Sequence, residues 1–304
     1  MKINFVWDWK PNFWQSYTWA DGLAAALVEL RNRGHEVRVY ADTDQVIPNP
    51  MNLIEPIGAM DKDWCDVFLH WADMTRPNAE INVRTGKPMA ICFAGGDPLT
   101  AQTELFDHIF VESQVYYEVL NSKGYPVSIA FGTNTELFKP VKQAKTFDTI
   151  FPATFAAWKR HDLFAKATEG LRACAVGFMY ETHEQECWQV CVDAGVLVLP
   201  HVSAEVLHRL YAASRSVLIT SKSEGGSQRT VLEALAMNIP CIVTDSNKFD
   251  YDGTIRTTPN VESIRAILDG LEFYEGINTR DYILDTWSHI QYADNIEKGL
   301  KSII

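Results

Sequence analysis

The sequence lacks any apolar run that could cross a membrane, since no stretch reaches the roughly 18 apolar residues that a spanning helix needs. It also lacks a recognisable signal peptide, because Asp8 interrupts the first apolar segment too early. No repeat of fixed period and no low-complexity tract is visible. From these absences we expect a soluble, cytoplasmic protein with no transmembrane segment.

Basic residues are few relative to acidic ones. Lysine and arginine together number 27, against 39 aspartates and glutamates, and the formal net charge is -12. Binding to a nucleic-acid backbone requires clustered positive side chains, so this balance argues against a broad basic face. It does not exclude a local basic groove.

Cysteine is too dispersed to suggest a disulfide framework. Several of the six cysteines lie within apolar runs, as Cys241 does between Pro240 and Ile242. We therefore expect free thiols in a reducing compartment. The other cysteines are Cys65, Cys92, Cys174, Cys187 and Cys191.

Two patterns contain metal-ligating residue types, but neither favours a metal site. His183, Cys187 and Cys191 are spaced by four and would share one helix face, which does not suit a tetrahedral zinc site, and no fourth ligand is evident. Asp-x-Asp pairs occur at Asp42/Asp44, Asp61/Asp63 and Asp250/Asp252. We interpret the first set as core packing and the pairs as solvated loops, and we expect no metal and no cofactor.

Strand-like and helix-like segments alternate along the chain. Its 304 residues exceed what one hydrophobic core usually serves, which predicts two domains of about 150 residues. The predicted strands are 3–7, 36–41, 67–71, 89–93, 108–112, 127–131, 149–151, 173–178, 196–199, 216–220 and 241–244. The predicted helices are 19–33, 114–123, 162–171, 183–194, 204–213, 230–237, 261–273 and 287–301. This alternation predicts an α/β fold with two doubly wound, Rossmann-like domains facing a cleft.

The strongest chemical signal is the stretch that runs from a predicted strand through Ser221-Lys-Ser-Glu-Gly-Gly-Ser-Gln-Arg into a predicted helix. A Gly-rich turn at a helix N-terminus exposes backbone N–H groups, which bind phosphate well. Glu224 and Glu233 bracket the turn, and carboxylates suit vicinal hydroxyls such as those of ribose. The alternative is a tight turn with a solvated Glu224 and a Glu233 that only complements the helix dipole.

This stretch resembles the signature of retaining GT-B glycosyltransferases of family 4. In that family a strand ends in Ser-x-x-Glu-Gly, a helix begins with Leu-Glu-Ala-Met-Ala, and Gly-x-Pro-Val-Val follows. The matching segments here are Ser221-Lys-Ser-Glu-Gly-Gly and Leu232-Glu-Ala-Leu-Ala-Met-Asn-Ile-Pro-Cys-Ile-Val. The family usually places seven residues between its two glutamates, whereas eight separate Glu224 from Glu233. We expect the loop to bulge and both glutamates to keep their places.

A second match lies at the predicted domain boundary. The segment Phe131-Gly-Thr-Asn-Thr-Glu-Leu-Phe-Lys-Pro is similar to the Gly-Val-Asp-x-x-x-Phe-x-Pro that ends the family's N-terminal domain, and Pro140 interrupts regular structure there. The resemblance implies an acceptor-side domain over 1–139, joined by the C-terminal helix 285–304. A nucleotide-sugar-binding domain over 140–284 follows from the same match.

The resemblance also implies roles for residues of the second domain. Glu233 would bind the ribose of the donor and Glu224 would orient the transferred sugar. Lys159, in Ala156-Ala-Trp-Lys-Arg-His-Asp, matches the lysine that reaches the donor diphosphate, with Arg160 as the second candidate. The family's arginine in this loop is absent, and we hypothesise that Arg229 replaces it with a bidentate contact to the diphosphate. Further donor contacts are expected from Gly225, Gly226, Ser227 and Thr230. Asp162 is expected to be the N-cap of the following helix.

In the first domain, the loop after the first strand is rich in aromatic residues. Trp9, Trp14 and Tyr17 could stack on a sugar ring or a base, or could pack between the domains instead. Gly22 is expected to let the backbone approach a phosphate closely. Members of the family that the chain resembles often carry a histidine in the N-terminal half of the cleft, near the transferred sugar. The two candidate positions are His70 and Asp97, although His70 also fits a structural histidine at a strand end.

Together these matches predict a retaining, metal-independent hexosyl- or pentosyltransferase. The donor would be a nucleotide-diphosphate sugar, UDP- or GDP-linked, and the acceptor a hydroxyl of a glycan, lipid or small molecule. One alternative is glycosylation of hydroxymethylated DNA bases, as in phage DNA glycosyltransferases, although the charge of -12 weighs against it. The other is a GT-B-like module that binds a nucleotide sugar without turnover. We expect a monomer or a weak oligomer.

Overall fold

The computed structural model describes residues 1–7, 22–41, 47–49, 52–72, 82–93, 103–179, 184–222, 228–249 and 251–304. The chain divides into two compact units. Unit 1 comprises Met1–Gly132 and Trp287–Ile304, and unit 2 comprises Thr133–Glu224 and Gln228–Thr286. In the described part of the chain no helix has the length and apolarity needed to span a membrane. All six cysteines are free thiols, as expected.

Unit 1 is built on a sheet with the strand order β3-β4-β2-β1-β5-β6-β7-β8. Neighbouring strands are parallel, except that β3 and β4 form an antiparallel pair at one edge. The strands are β1 (Lys2–Trp7), β2 (Glu36–Ala41), β3 (Ile47–Asn49), β4 (Asn52–Pro56), β5 (Val67–Ala72), β6 (Met89–Phe93), β7 (His108–Val111) and β8 (Val127–Ile129). The helices are α1 (Gly22–Asn32), α2 (Gln114–Asn121) and α9 (His289–Lys301). Strands such as β1 and β6 are buried on both faces, which explains their continuous apolar runs.

The C-terminal helix α9 belongs to unit 1 and packs against α1. Its buried side chains join the core cluster that contains β1 and α1 residues; they are Tyr292, Ala293, Ile296 and Leu300. Ser288 begins the helix as N-cap, because its Oγ accepts a hydrogen bond from the Gln291 N–H at 3.3 Å. Gly299 lets α9 approach β7, since a Cβ at this position would overlap the Phe110 ring.

Ion pairs reinforce the contact between α1 and α9. Arg33, just after α1, pairs with Glu29 at 2.9 Å and with Asp294 and Glu297 on α9. His35 lies 3.2 Å from Glu297, and Lys301 pairs with the same carboxylate. Hydrogen bonds from Lys301, then from Arg33 and His35, lower the pKa of Glu297 from its usual 4.5 to about 2, although partial burial opposes the shift.

This depressed pKa predicts an acid-sensitive contribution to stability. The contribution is fully present above about pH 4.5 and is lost as the pH falls toward about 2, because protonation removes the charge in the folded state. We expect the unfolding free energy of wild type to fall more steeply over this range than that of Glu297→Gln, measured by urea denaturation. Glu136→Gln, at a carboxylate with 75% of its side chain exposed, is the control. Parallel curves for wild type and Glu297→Gln would contradict the prediction.

Unit 2 contains a second, entirely parallel sheet in the order β11-β10-β9-β12-β13-β14. Its strands are β9 (Thr149–Pro152), β10 (Ala173–Val176), β11 (Leu197–Leu199), β12 (Val217–Ile219), β13 (Cys241–Thr244) and β14 (Thr254–Thr257). Its helices are α3 (His161–Ala167), α4 (Gln185–Asp193), α5 (Ala204–Ala212), α6 (Arg229–Ala236), α7 (Val261–Asp269) and α8 (Arg280–Thr286). In both units the order runs outward in opposite directions from the first strand, which is the doubly wound, Rossmann-like arrangement. The predicted α/β fold class is confirmed.

Several elements differ from the sequence prediction. The sequence pattern did not predict β3, β4, β14 or α8, which are short and carry weak periodicity. The helix predicted over 261–273 ends at Asp269, because Gly270 follows and the chain continues as a 3₁₀ turn, Leu271–Tyr274. The prediction that Asp162 caps α3 is wrong. Arg160 occupies the N-cap position, and Asp162 lies in the first turn, where a carboxylate complements the helix dipole.

Candidate functional site

The order of strands in unit 2 identifies where a ligand would bind. In doubly wound sheets, ligands bind beyond the carboxyl ends of the strands at the point where the order reverses. That point lies between β9 and β12, which are neighbours in the sheet. The segment after β9 carries Lys159, and the segment after β12 is the Gly-rich stretch. The predicted donor-binding residues of this unit therefore lie on the two segments, or on α6, which follows the second.

The segment after β9 forms a tight turn before α3. A 3₁₀ turn, Ala157–Lys159, is followed by Arg160 in the left-handed conformation, with φ 58° and ψ 53°. This conformation costs a non-glycine residue about 1–2 kcal/mol. The amides of Leu163 and Phe164 bond to the Arg160 carbonyl at 3.1 and 3.2 Å, which stabilises the turn.

Thr220 fastens this turn to the end of β12. Its Oγ1 donates to the carbonyl oxygens of Lys159, at 2.9 Å, and Arg160, at 3.1 Å. The Lys222 N–H also donates to the carbonyl of Trp158 at 2.8 Å. Thr220 is fully buried, whereas 50% of Trp158 is exposed. The backbone that carries Lys159 is thus held directly beside the start of the Gly-rich stretch.

The other side of the same strand end is held by the segment after β13. The Ser221 carbonyl accepts hydrogen bonds from Asn247 Nδ2, at 3.0 Å, and Thr244 Oγ1, at 3.3 Å. Arg256 binds the carbonyls of Asn247 and Phe249, and so fixes this segment in turn. Hydrogen bonds from both neighbouring segments therefore hold the backbone at the start of the Gly-rich stretch.

Three buried polar atoms on residues at the two ends of the Gly-rich stretch suggest that a polar ligand binds here. They are Ser221 Oγ, Gln228 Oε1 and Thr230 Oγ1, and none has a hydrogen-bond partner among the described residues. An unsatisfied buried polar group costs about 1–3 kcal/mol, so such groups call for an explanation. A ligand rich in hydroxyl or phosphate oxygens would supply the missing partners. Arg229, half-buried, is the first residue of the helix beside these atoms.

Glu233 is buried within α6. It is the fifth residue of the helix, in the second turn, and only 4% of it is exposed. The Tyr211 hydroxyl donates to Glu233 Oε2 at 2.8 Å. The structure thus places a hydrogen-bonded carboxylate one turn below the N-terminus of α6.

His161 lies beneath the Lys159 turn and packs in the core. Its ring stacks on Phe155 at 4.7 Å and lies 4.9 Å from the Phe151 ring. Burial, together with the charge of Lys159, lowers the pKa of His161 to about 3. The imidazole is therefore neutral near pH 7 and adds no charge to the site.

Other predicted site residues lie in unit 1 or outside the described residues. His70 is fully buried in β5, with its ring 5.6 Å from the Phe106 ring and its Nε2 3.3 Å from Asn82 Nδ2. This burial favours the structural interpretation of His70 over a role at a sugar. Gly22 is buried at the start of α1. Predicted site residues outside the described part of the chain are Glu224, Gly225, Gly226, Ser227, Trp9, Trp14, Tyr17 and Asp97.

The potential metal ligands are not brought together among the described residues, where no group of three His, Cys, Asp or Glu side chains could hold an ion. Cys191 is buried with its Sγ 4.0 Å from the His161 carbonyl, and Cys187 is half-buried. His183 lies outside the described residues.

Comparisons with known proteins agree with this geometry. Residues 146–268 match the family model for glycosyl transferases group 1, and this match covers the strands and loops of the unit 2 site. A search of curated proteins finds no match. Solved structures resemble the chain along nearly its whole length.

A sucrose-phosphate synthase from Thermosynechococcus elongatus has 12% identity and a TM-score of 0.74, over 99% of this chain and 98% of its own. A glycosyltransferase from Rickettsia africae has the same identity, TM-score and coverage. Anabaena HepE, solved with UDP and glucose, has 14% identity and a TM-score of 0.72, over 99% of this chain and 100% of its own. The fold is that of GT-B glycosyltransferases. At these identities the likeness shows the fold alone.

Proposed function

We propose that the protein is a glycosyltransferase that moves a sugar from a nucleotide-diphosphate sugar to an acceptor hydroxyl. The observation that carries the proposal is the Thr220 clamp, which joins the Lys159 turn to the Gly-rich stretch where the strand order of unit 2 reverses. Two predicted phosphate-binding segments thereby share one edge of one sheet. The group 1 family match over residues 146–268 supports the same chemistry.

The charges of the site suit a diphosphate leaving group. As the bond between sugar and phosphate breaks, negative charge grows on the phosphate. Lys159, Arg229 and the N-terminus of α6 would stabilise that charge, with Arg160 as a further candidate. These groups would serve in place of a metal ion, and no cofactor beyond the donor is proposed. Glu233 would bind the ribose and Glu224 would orient the transferred sugar.

The finer features of the reaction are also proposals. We propose retention of the anomeric configuration and transfer of a hexose or pentose. UDP is the first nucleotide to test, because HepE was solved with UDP and glucose. A glycan, lipid or small-molecule hydroxyl is the proposed acceptor. Salt-sensitive binding of hydroxymethylated duplex DNA would point instead to the DNA alternative.

A thermal-shift screen with UDP-, GDP-, ADP- and dTDP-glucose tests donor binding. A donor present at 100 times its Kd should stabilise the protein by about 2.7 kcal/mol. Donor hydrolysis, followed by NMR of the released sugar's anomeric proton, then tests turnover and retention, and repeating it with EDTA tests metal independence. Binding without hydrolysis or transfer would favour the non-catalytic module. Absence of any nucleotide-dependent shift would contradict the proposed function.

A further inference from the structure

The carboxylate of Glu233 has a partner that comes from a different helix. Tyr211, near the end of α5, is fully buried, and its hydroxyl donates to Glu233 Oε2 at 2.8 Å. The same hydroxyl lies 3.3 Å from the Thr230 carbonyl oxygen in the first turn of α6. The shorter contact, to a charged acceptor, is the stronger hydrogen bond. The hydroxyl therefore links α5 to both turns of the helix that carries the carboxylate.

The tyrosine remains a hydrogen-bond donor at any pH at which the protein would be assayed. Burial, and then the negative charge of Glu233, raise the pKa of Tyr211 well above its ordinary value. A terminal carboxylate torsion is otherwise broad and roughly two-fold, so a fixed donor selects one orientation of the carboxylate. The hydrogen bond from Tyr211 thus restricts the orientation of the Glu233 carboxylate.

The tyrosine ring is held in turn by the segment that connects the units in sequence. Phe138 is fully buried and meets the Tyr211 ring edge-on, at 5.9 Å between centroids and 87° between planes. Arg280 at the start of α8 donates to the Phe138 carbonyl at 2.9 Å and to the Thr135 carbonyl at 2.9 Å. Its guanidinium also donates to the Ala236 carbonyl, at the last residue of α6, at 2.8 Å. One side chain thus fixes both the Phe138 segment and the Glu233 helix.

We propose that Tyr211 is a positioning residue that orients Glu233 toward the donor ribose, with Phe138 packed against its ring and Arg280 joining the Phe138 segment to α6. The inference rests on the proposed function, since it assumes that Glu233 meets a nucleotide. It adds a residue that acts through Glu233 rather than on the donor itself. Its measurable consequence is discrimination between nucleotides that have ribose hydroxyls and nucleotides that lack them.

The test compares UDP with 2′,3′-dideoxy-UDP by isothermal titration calorimetry. We expect wild type to prefer UDP by about tenfold or more, because 2′,3′-dideoxy-UDP lacks the ribose hydroxyls that would donate hydrogen bonds to the charged Glu233 carboxylate. Glu233→Gln should abolish most of this preference. Tyr211→Phe should reduce it at least about threefold, and the double variant should show no further loss beyond Glu233→Gln, because the two residues act in series. Tyr40→Phe, which removes the hydroxyl of a buried tyrosine in unit 1, should keep the full preference.

The possible outcomes distinguish a failure of the proposed Tyr211 role from a failure of the proposed function. If Glu233→Gln loses the preference while Tyr211→Phe keeps it, the positioning role is overturned and the proposed function stands. If wild type binds neither UDP nor any other nucleoside diphosphate, both the positioning role of Tyr211 and the proposed function are contradicted. Should Tyr211→Phe fail to fold, Phe138→Leu leaves the hydroxyl in place and loosens the ring. We expect it to lower the preference about threefold, and an unchanged preference in that variant would overturn the inference.

Discussion

Lys159→Ala is expected to lower kcat/KM for donor turnover by about 10²–10³-fold, the range found when one preorganised group that stabilises transition-state charge is removed. The backbone of the turn that carries Lys159 is held by the Thr220 hydroxyl and by the Lys222 amide. Truncating the side chain should therefore leave the turn in place. The variant should therefore lose kcat/KM while keeping the stability of the wild-type fold.

The measurement is steady-state hydrolysis or transfer with the nucleotide sugar that gives the largest thermal shift. Lys166→Ala is the matched control, because Lys166 is an exposed lysine on α3 only seven residues further along the chain. Both variants lose one positive charge, so a general effect of net charge would appear in both. Equal activities of the two variants would rule out the assignment of Lys159 to the diphosphate.

Gly177→Ala is expected to destabilise unit 2 by at least about 3 kcal/mol. A Cβ at Gly177 would overlap the carbonyl oxygen of Ala153, a backbone atom that cannot rotate away. The two segments are closely paired here, since Ala153 N–H donates to the Val176 carbonyl at 2.9 Å and Phe155 N–H to the Phe178 carbonyl at 2.7 Å. To accept the methyl group, the chain would have to separate the end of β9 from the end of β10.

The melting temperature should fall by about 2–4 °C for each kcal/mol in a unit of this size, and calorimetry would record the shift. Because the displaced segment leads into the Lys159 turn, donor affinity should weaken as well. Gly58→Ala is the control, since a Cβ there meets no atom within 4 Å and the change should cost little. A melting temperature for Gly177→Ala equal to that of Gly58→Ala would show that the two backbones can separate freely.

The sequence predicted well those features that depend on local pattern. Buried parallel strands appear as continuous apolar runs, and so most strands of both sheets were predicted close to their observed bounds. The pattern around β3 does not predict a strand, because the strand is three residues long with Pro48 at its centre, although proline is tolerated in an edge strand. An aspartate just before a helical pattern predicts an N-cap, as at Asp162. The chain instead enters the helix through the left-handed Arg160, a conformation with no signal in the side chain.

The site was predicted only in part, for a related reason. Lys159, Arg229 and Glu233 lie in segments with a recognisable motif, whereas the residues that hold these segments do not. Tyr211 reads as one more apolar position of an amphipathic helix, and only the folded chain brings its hydroxyl to a carboxylate 22 residues away. Thr220 similarly reads as a strand residue, although its hydroxyl clamps a turn 60 residues earlier. Contacts between distant segments decide such roles, and no local pattern encodes them.

The C-terminal helix α9 has a consequence for how the protein is made. Unit 1 includes both β1 and α9, so its core cannot be completed until α9 has been synthesised. A fragment that ends at Gly132 would expose the apolar stripe that Tyr292, Ile296 and Leu300 normally cover, and should aggregate when expressed alone. Early termination anywhere before residue 289 would leave the first unit unfinished. The amount of folded protein in the cell thus depends on synthesis continuing through α9.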